Sequence, residues 1–171
     1  MKVREFCSKE VVTVEPLATL REASLVMRNH HVGSLVVVER KDEGVRPVGI
    51  ITDRDIVVAV IAVAGARPEG IRVCDAMSSQ LAVAREDDGV FEAARTMSEH
   101  GVRRLPVIAP DGTLRGMVTA DDVHRVVSTE MANLAGALKK GAAREVMERR
   151  VLDVLSNRDT HVLRSMHESK P

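Results

Sequence analysis

The chain has 171 residues, with 25 basic and 25 acidic side chains, so no overall field draws it to nucleic acid or to an anionic membrane. Hydrophobic residues make up 44 % of it but aromatic ones only 1 %, which demands an aliphatic core and leaves almost no stacking platform for nucleic-acid bases. Cys7 and Cys74 are too few and too far apart for a disulfide framework or a zinc site, and both read as small buried apolar residues.

The first residues, Met1-Lys2-Val3-Arg4-Glu5-Phe6, enter folded sequence without an apolar signal segment, which points to a cytoplasmic protein. A β-branched segment at residues 11–14 reads as a strand. A helix over about residues 19–29 follows it, with Thr19 and Glu22 spaced as a capping box and with Leu20, Ala23 and Met27 on one face. His30 and His31 fall in the loop after it and read as solvated. Residues 34–38 form a short apolar strand, residues 39–47 a polar loop, and residues 48–51 a third strand. A helix from Arg54 to about residue 64 is apolar all round its circumference, so it is expected to be buried all round, half of it against its own sheet and the other half against the second repeat or another subunit. The apolar run at residues 56–66 is only about half the ~20 residues that a membrane-spanning helix needs, and residues 65–70 read as a linker.

The pattern then repeats. Leu20, Glu22, Ala23, Met27, Val32, Leu35, Val37 and Val38 match Val90, Glu92, Ala93, Met97, Val102, Leu105, Val107 and Ile108 at a constant offset of 70. Gly49-Ile50-Ile51-Thr52-Asp53-Arg54-Asp55 matches Gly116-Met117-Val118-Thr119-Ala120-Asp121-Asp122 at an offset of 67, so the first copy carries three more residues, assigned to the polar loop where insertions are cheap. Strands at residues 81–84, 105–108 and 114–118 and a helix capped by Gly89 complete a second β-α-β-β-α unit. Two such copies bury a shared face that one alone is too small to cover. The fold class is therefore α/β of the α+β type, as two pseudo-symmetric repeats over residues 1–66 and 67–127, with a helical extension over 128–171. In that extension one helix is expected to reach about Lys140, Gly141 to interrupt it, a second amphipathic helix to span residues 142–155, and a polar, frayed tail to follow.

The second half of each repeat carries the chemistry. A helix N-terminus presents free backbone N–H groups and partial positive charge, so it accepts phosphate, and Thr52 and Thr119 add a hydroxyl there. One turn on, Asp55 and Asp122 are placed to accept the two hydroxyls of a ribose. The same Thr-x-x-Asp spacing also makes a plain helix cap worth ~1 kcal/mol, with no ligand involved. Arg103 and Arg104, ahead of Leu105-Pro106, can reach phosphate oxygens or form salt bridges at a subunit face. Arg54 in one copy stands where Asp121 stands in the other, and Gly33-Ser34-Leu35-Val36 where Arg103-Arg104-Leu105-Pro106 stands, so the two sites cannot be equivalent.

A β-α-β-β-α unit with Gly-h-h-Thr-x-x-Asp, present twice, resembles a tandem pair of CBS domains, or Bateman module, over about residues 1–127. The resemblance implies a regulatory protein that binds an adenosine-containing ligand in clefts between the repeats: AMP, ADP, ATP or adenosylmethionine. It implies a base lying against the strand residues Thr13 and Val14 or Val83 and Ala84, with Arg54, Asp121 and Pro106 near the same clefts. It further implies a homodimer and a regulated protein supplied in trans. The competing reading is a ligand-independent interaction or dimerisation module. No Ser/His/Asp, Cys/His or paired-carboxylate arrangement is evident, so an enzyme is not expected; neither are a metal site, nucleic-acid binding or membrane insertion.

Overall fold

The computed structural model describes residues 1–42, 44–63, 65 and 67–167, with side chains as far as Arg150. In chain order the elements are α1 (Val3–Phe6), β1 (Thr13–Val14), α2 (Leu20–His30), β2 (Ser34–Lys41), β3 (Gly44–Thr52), α3 (Asp53–Ile61), α4 (Val73–Ala76), β4 (Ala84–Arg85), α5 (Val90–His100), β5 (Arg104–Ile108), β6 (Leu114–Thr119) and α6 (Ala120–His167). The chain divides into two units, Met1–Val126, which holds both repeats, and Val127–Pro171.

Each repeat builds a three-stranded sheet with its second strand in the middle, β1-β2-β3 and β4-β5-β6. The first pair in each is parallel and the second antiparallel. The predicted matches become equivalent core positions: Leu20, Ala23, Met27, Leu35 and Val37 are buried in the first copy, and Val90, Ala93, Met97, Leu105 and Val107 in the second. The capping box at the start of α2 forms as expected, with Glu22 Oε2 accepting from Thr19 N at 2.7 Å and Thr19 Oγ1 accepting from Glu22 N at 3.2 Å.

Two one-turn helices, α1 and α4, went unforeseen because four residues carry no helical period. They show how the repeats hold each other. The segment before the first repeat docks on the second: Val3 N donates to Asp88 O at 2.8 Å, and Ser8 and Met117 exchange two backbone bonds of 2.9 Å beside β6. The segment before the second repeat docks on the first: Val73 N donates to Ala18 O at 2.8 Å, and Ser78 and Ile50 exchange bonds of 3.0 and 3.2 Å beside β3. Val73 is a full member of the first repeat's core cluster. Gly49 and Gly116 open the Gly-h-h-Thr-x-x-Asp motif for this reason. A Cβ on Gly116 would lie 2.5 Å from Ser8 O, and one on Gly49 would lie 2.5 Å from Met77 Sδ and 3.0 Å from Ser78 O.

Several expectations need correction. The three extra residues of the first copy lengthen the β2–β3 hairpin, paired from Ser34↔Thr52 to Lys41↔Gly44, rather than a polar loop. Strands β1 and β4 are two residues long, because only those residues have a ladder partner. His30 closes α2 instead of lying in the loop after it, and both His30 and His31 are exposed, His31 as the C-cap. Within this chain helix α3 has no buried residue: its own sheet covers one side and the second repeat does not cover the other, so Val57, Val58 and Ile61 stay exposed on the side for which another subunit was the alternative cover. Cys7 is buried as expected but Cys74 is exposed. Gly141 does not interrupt α6, which runs unbroken from Ala120 through residues 156–167, where a frayed tail was expected. One mid-helix glycine costs only about 1 kcal/mol, too little to end a helix by itself. The rest of the expected tail, residues 168–171, lies outside the described residues.

Candidate functional site

Where the repeats meet, a cleft of about 310 Å³ is lined by Glu10, Val11, Val12, His31, Val32, Gly33 and Ser34 from the first copy and by Arg104, Met117 and Thr119 from the second. Its wall is apolar where the valines and Met117 stand and polar where Ser34, Thr119, Arg104, His31 and Glu10 stand. This is the usual make-up of a small-molecule site, an apolar surface with a few placed polar groups.

Thr119 ends β6 and Asp122 sits in the first turn of α6. Asp122 Oδ2 accepts from Thr119 N at 3.0 Å and from Thr119 Oγ1 at 2.7 Å, and Thr119 Oγ1 accepts in turn from Asp122 N at 3.2 Å. The first copy repeats this at 2.9, 2.8 and 3.2 Å between Thr52 and Asp55. Both Thr-x-x-Asp motifs are thus complete helix caps, and in each the cap uses only Oδ2 of the carboxylate. In the second copy Arg125 Nη2 already donates to Asp122 Oδ1 at 2.7 Å. Partial burial raises the Asp122 pKa, but the hydrogen bonds from Thr119 and Arg125 and the Arg125 charge outweigh it and leave the carboxyl below its usual range.

The β-to-α turns show why the copies differ. In the first, Asp53 N donates to Gly33 O at 3.1 Å, and a Cβ on Gly33 would meet Asp53 Oδ2 at 3.2 Å. In the second, Ala120 N donates to Arg103 O at 2.9 Å, so a small residue on the helix makes room for a long one on the strand side.

Of the residues singled out in the sequence, Arg104 and Thr119 line the cleft, and Asp122 stands behind Thr119. Val14, Ala84 and Pro106 are buried in their strands. Thr13 lies in β1 and Val83 just ahead of β4, both half-buried, while Arg54, Arg103 and Asp121 are exposed. Thr52 and Asp55 close the pseudo-equivalent turn of the first repeat. The wall is therefore made by Val11 and Val12, directly before the predicted Thr13 and Val14. Glu10, His31, Ser34 and Met117 were not singled out. The repeat itself pointed to Ser34, since it aligns with Arg104.

The CBS domain family matches residues 3–62 and 73–129. The chain belongs to the CBS domain family. Among its relatives is an uncharacterized protein of Methanopyrus kandleri, 37 % identical over 140 residues, or 82 % of this chain and 69 % of that protein. Among solved structures it resembles the CBS domain pair of protein MJ0100 in complex with 5′-methylthioadenosine and S-adenosyl-L-methionine. The TM-score is 0.63 at 26 % identity, with 76 % of this chain and 98 % of that one covered. It also resembles the cytosolic domain of the Mg2+ channel MgtE in complex with ATP, with a TM-score of 0.62 at 28 % identity over 73 % of this chain and 48 % of that one. The two sheets and their helices are those of a CBS domain pair, followed by a helical extension. Among the described residues no helix is long and apolar enough to cross a membrane, and no group of His, Cys, Asp and Glu is arranged to hold a metal ion.

Proposed function

We propose that this CBS pair is a cytoplasmic regulatory module. It binds an adenosine-containing ligand of the AMP, ADP, ATP or adenosylmethionine class in the cleft between its repeats and passes the change to a partner protein as a homodimer. The observation that carries this reading is the cleft itself, built from both repeats, with the Thr119 and Ser34 hydroxyls, the Arg104 guanidinium, His31 and Glu10 set around an apolar wall. An apolar wall of Val11, Val12, Val32 and Met117 suits a purine, Arg104 suits a phosphate, and the carboxylate behind Thr119 suits ribose hydroxyls. The ligands named for MJ0100 and MgtE, two adenosyl compounds and ATP, support the same class. Because the cleft spans both copies, a ligand there favours one arrangement of the repeats over another, and its regulatory reach is set by that difference in affinity.

Thermal unfolding with and without AMP, ADP, ATP and adenosylmethionine tests the reading. A ligand at about 100 times its dissociation constant stabilises the fold by ~2.7 kcal/mol, a midpoint rise of roughly 5–10 °C for this size. The absence of any rise at millimolar concentration favours the ligand-independent interaction module instead.

A further inference from the structure

The charges around the cleft discriminate among adenosine compounds, an inference that rests on the reading of the cleft as an adenosine site. Among the described residues lining it, Arg104 alone carries a permanent positive charge. It opens β5 opposite Thr119 and is half-buried. Among the described residues its guanidinium has neither a hydrogen-bond nor an ion-pair partner. A half-buried guanidinium with its donors unused is costly unless an anion meets it, and its planar fork matches one carboxylate or one phosphate.

Beyond that cation the surroundings are acidic. Glu10 lines the cleft at its exposed rim, and its carboxylate likewise has no partner among the described residues. Asp53 stands behind the lining residue Gly33, where an added Cβ would meet its Oδ2 at 3.2 Å. Asp122 stands behind Thr119. The helix N-termini that would welcome phosphate have spent backbone donors on their own acids: Thr52 N on Asp55, Arg54 N on Asp53 at 2.8 Å, and Thr119 N on Asp122. A di- or triphosphate would set one phosphate on Arg104 and leave the rest among carboxylates with no further cation in the lining. A ligand with a cationic centre beside a single carboxylate reverses this, its carboxylate on Arg104 and its cationic centre toward Glu10.

We propose that the cleft selects an adenosyl compound bearing one carboxylate and a cationic centre, of the adenosylmethionine type, over nucleoside polyphosphates, and that Glu10 is a specificity-determining residue. Arg104 draws the anionic group inward, and Glu10 at the rim attracts the cationic centre and repels a chain of phosphates.

The test is titration calorimetry of the full chain at pH 8, which keeps imidazole charge out of the comparison. The ligands are S-adenosylmethionine, ATP without divalent cation, and 5′-methylthioadenosine, a charge-free reference. The wild-type chain should bind adenosylmethionine at least about tenfold more tightly than ATP. Glu10→Gln should weaken adenosylmethionine and tighten ATP, each by roughly threefold to tenfold relative to methylthioadenosine, as expected for one charge near the surface. Glu10 is exposed, so the substitution should leave the fold intact, and a melting curve of the unliganded chain checks that it does. ATP bound as tightly as adenosylmethionine, or a ratio of the two that Glu10→Gln does not move, would overturn the proposal and leave the adenosine reading standing. Binding of none of the three would overturn both.

Discussion

The two repeats share a backbone plan and place charge in opposite ways. At the turn into the closing helix the first copy sets Asp53 beside Gly33, and the second sets Ala120 beside Arg103. One residue later the first offers the Ser34 hydroxyl where the second offers the Arg104 guanidinium, and both line the same cleft. Helix C-caps differ likewise: Gly101 adopts φ 63° in the second copy and His31 adopts φ 53° in the first, although only glycine does so without strain. Duplication supplies two similar walls, and divergence at a few turn positions gives the cleft a cationic side at Arg104 and a side with a hydroxyl, Ser34, and a carboxylate, Glu10.

The glycines that admit the exchanged segments should give the largest effects. Gly116→Ala drives a Cβ against the backbone oxygen of Ser8, whereas Gly49→Ala first meets the movable sulfur of Met77. Overpacking costs typically 1–3 kcal/mol, so Gly116→Ala should sit near the top of that range and Gly49→Ala near the bottom, read as chemical unfolding midpoints. Equal costs would mean that the two exchanges are equally tight. Arg104→Ala removes a charge-assisted contact worth about 1.5–3 kcal/mol and should weaken a phosphate-bearing ligand roughly 10- to 100-fold in calorimetry, while Ser34→Ala weakens it less. At the caps, Gly101→Ala should destabilise by about 1 kcal/mol and His31→Gly should stabilise by up to that amount. The smallest effect concerns Asp122, whose folded-state pKa is depressed by Thr119 and Arg125 in spite of its burial. Its contribution is therefore present above about pH 4 and lost as the pH falls through the folded-state value. Asp122→Asn should flatten that acid limb by less than about 1 kcal/mol, since the partner Arg125 is solvent-exposed.

The fold was legible because the apolar matches at a constant offset are the core: Leu20 and Val90, or Leu35 and Leu105, are buried in pairs. Helix α2 was readable from its capping box and its apolar face. The exchange of α1 and α4 was hidden, because Val3 and Val73 each pack on the repeat to which they do not belong, and no local period records that. For α3 the apolar circumference left two covers open, the second repeat or another subunit, because periodicity tells which faces repel water and not whether this chain covers them. Of the residues that line the cleft, Arg104 and Thr119 were legible in the sequence because their chemistry is explicit. Val11, Val12 and Met117 were missed because a wall residue looks like any other apolar residue until the second repeat closes over it.

The most direct test of the account is titration calorimetry of AMP, ATP and adenosylmethionine into the wild-type chain and into Ser34→Trp, which fills the cleft from the first repeat's side. The account predicts saturable binding of at least one ligand below millimolar concentration and its loss in Ser34→Trp, with the unfolding midpoint kept within a few degrees. Binding that survives Ser34→Trp would place the ligand elsewhere on the molecule, and the absence of binding by the wild-type chain would contradict a ligand-reading cleft altogether.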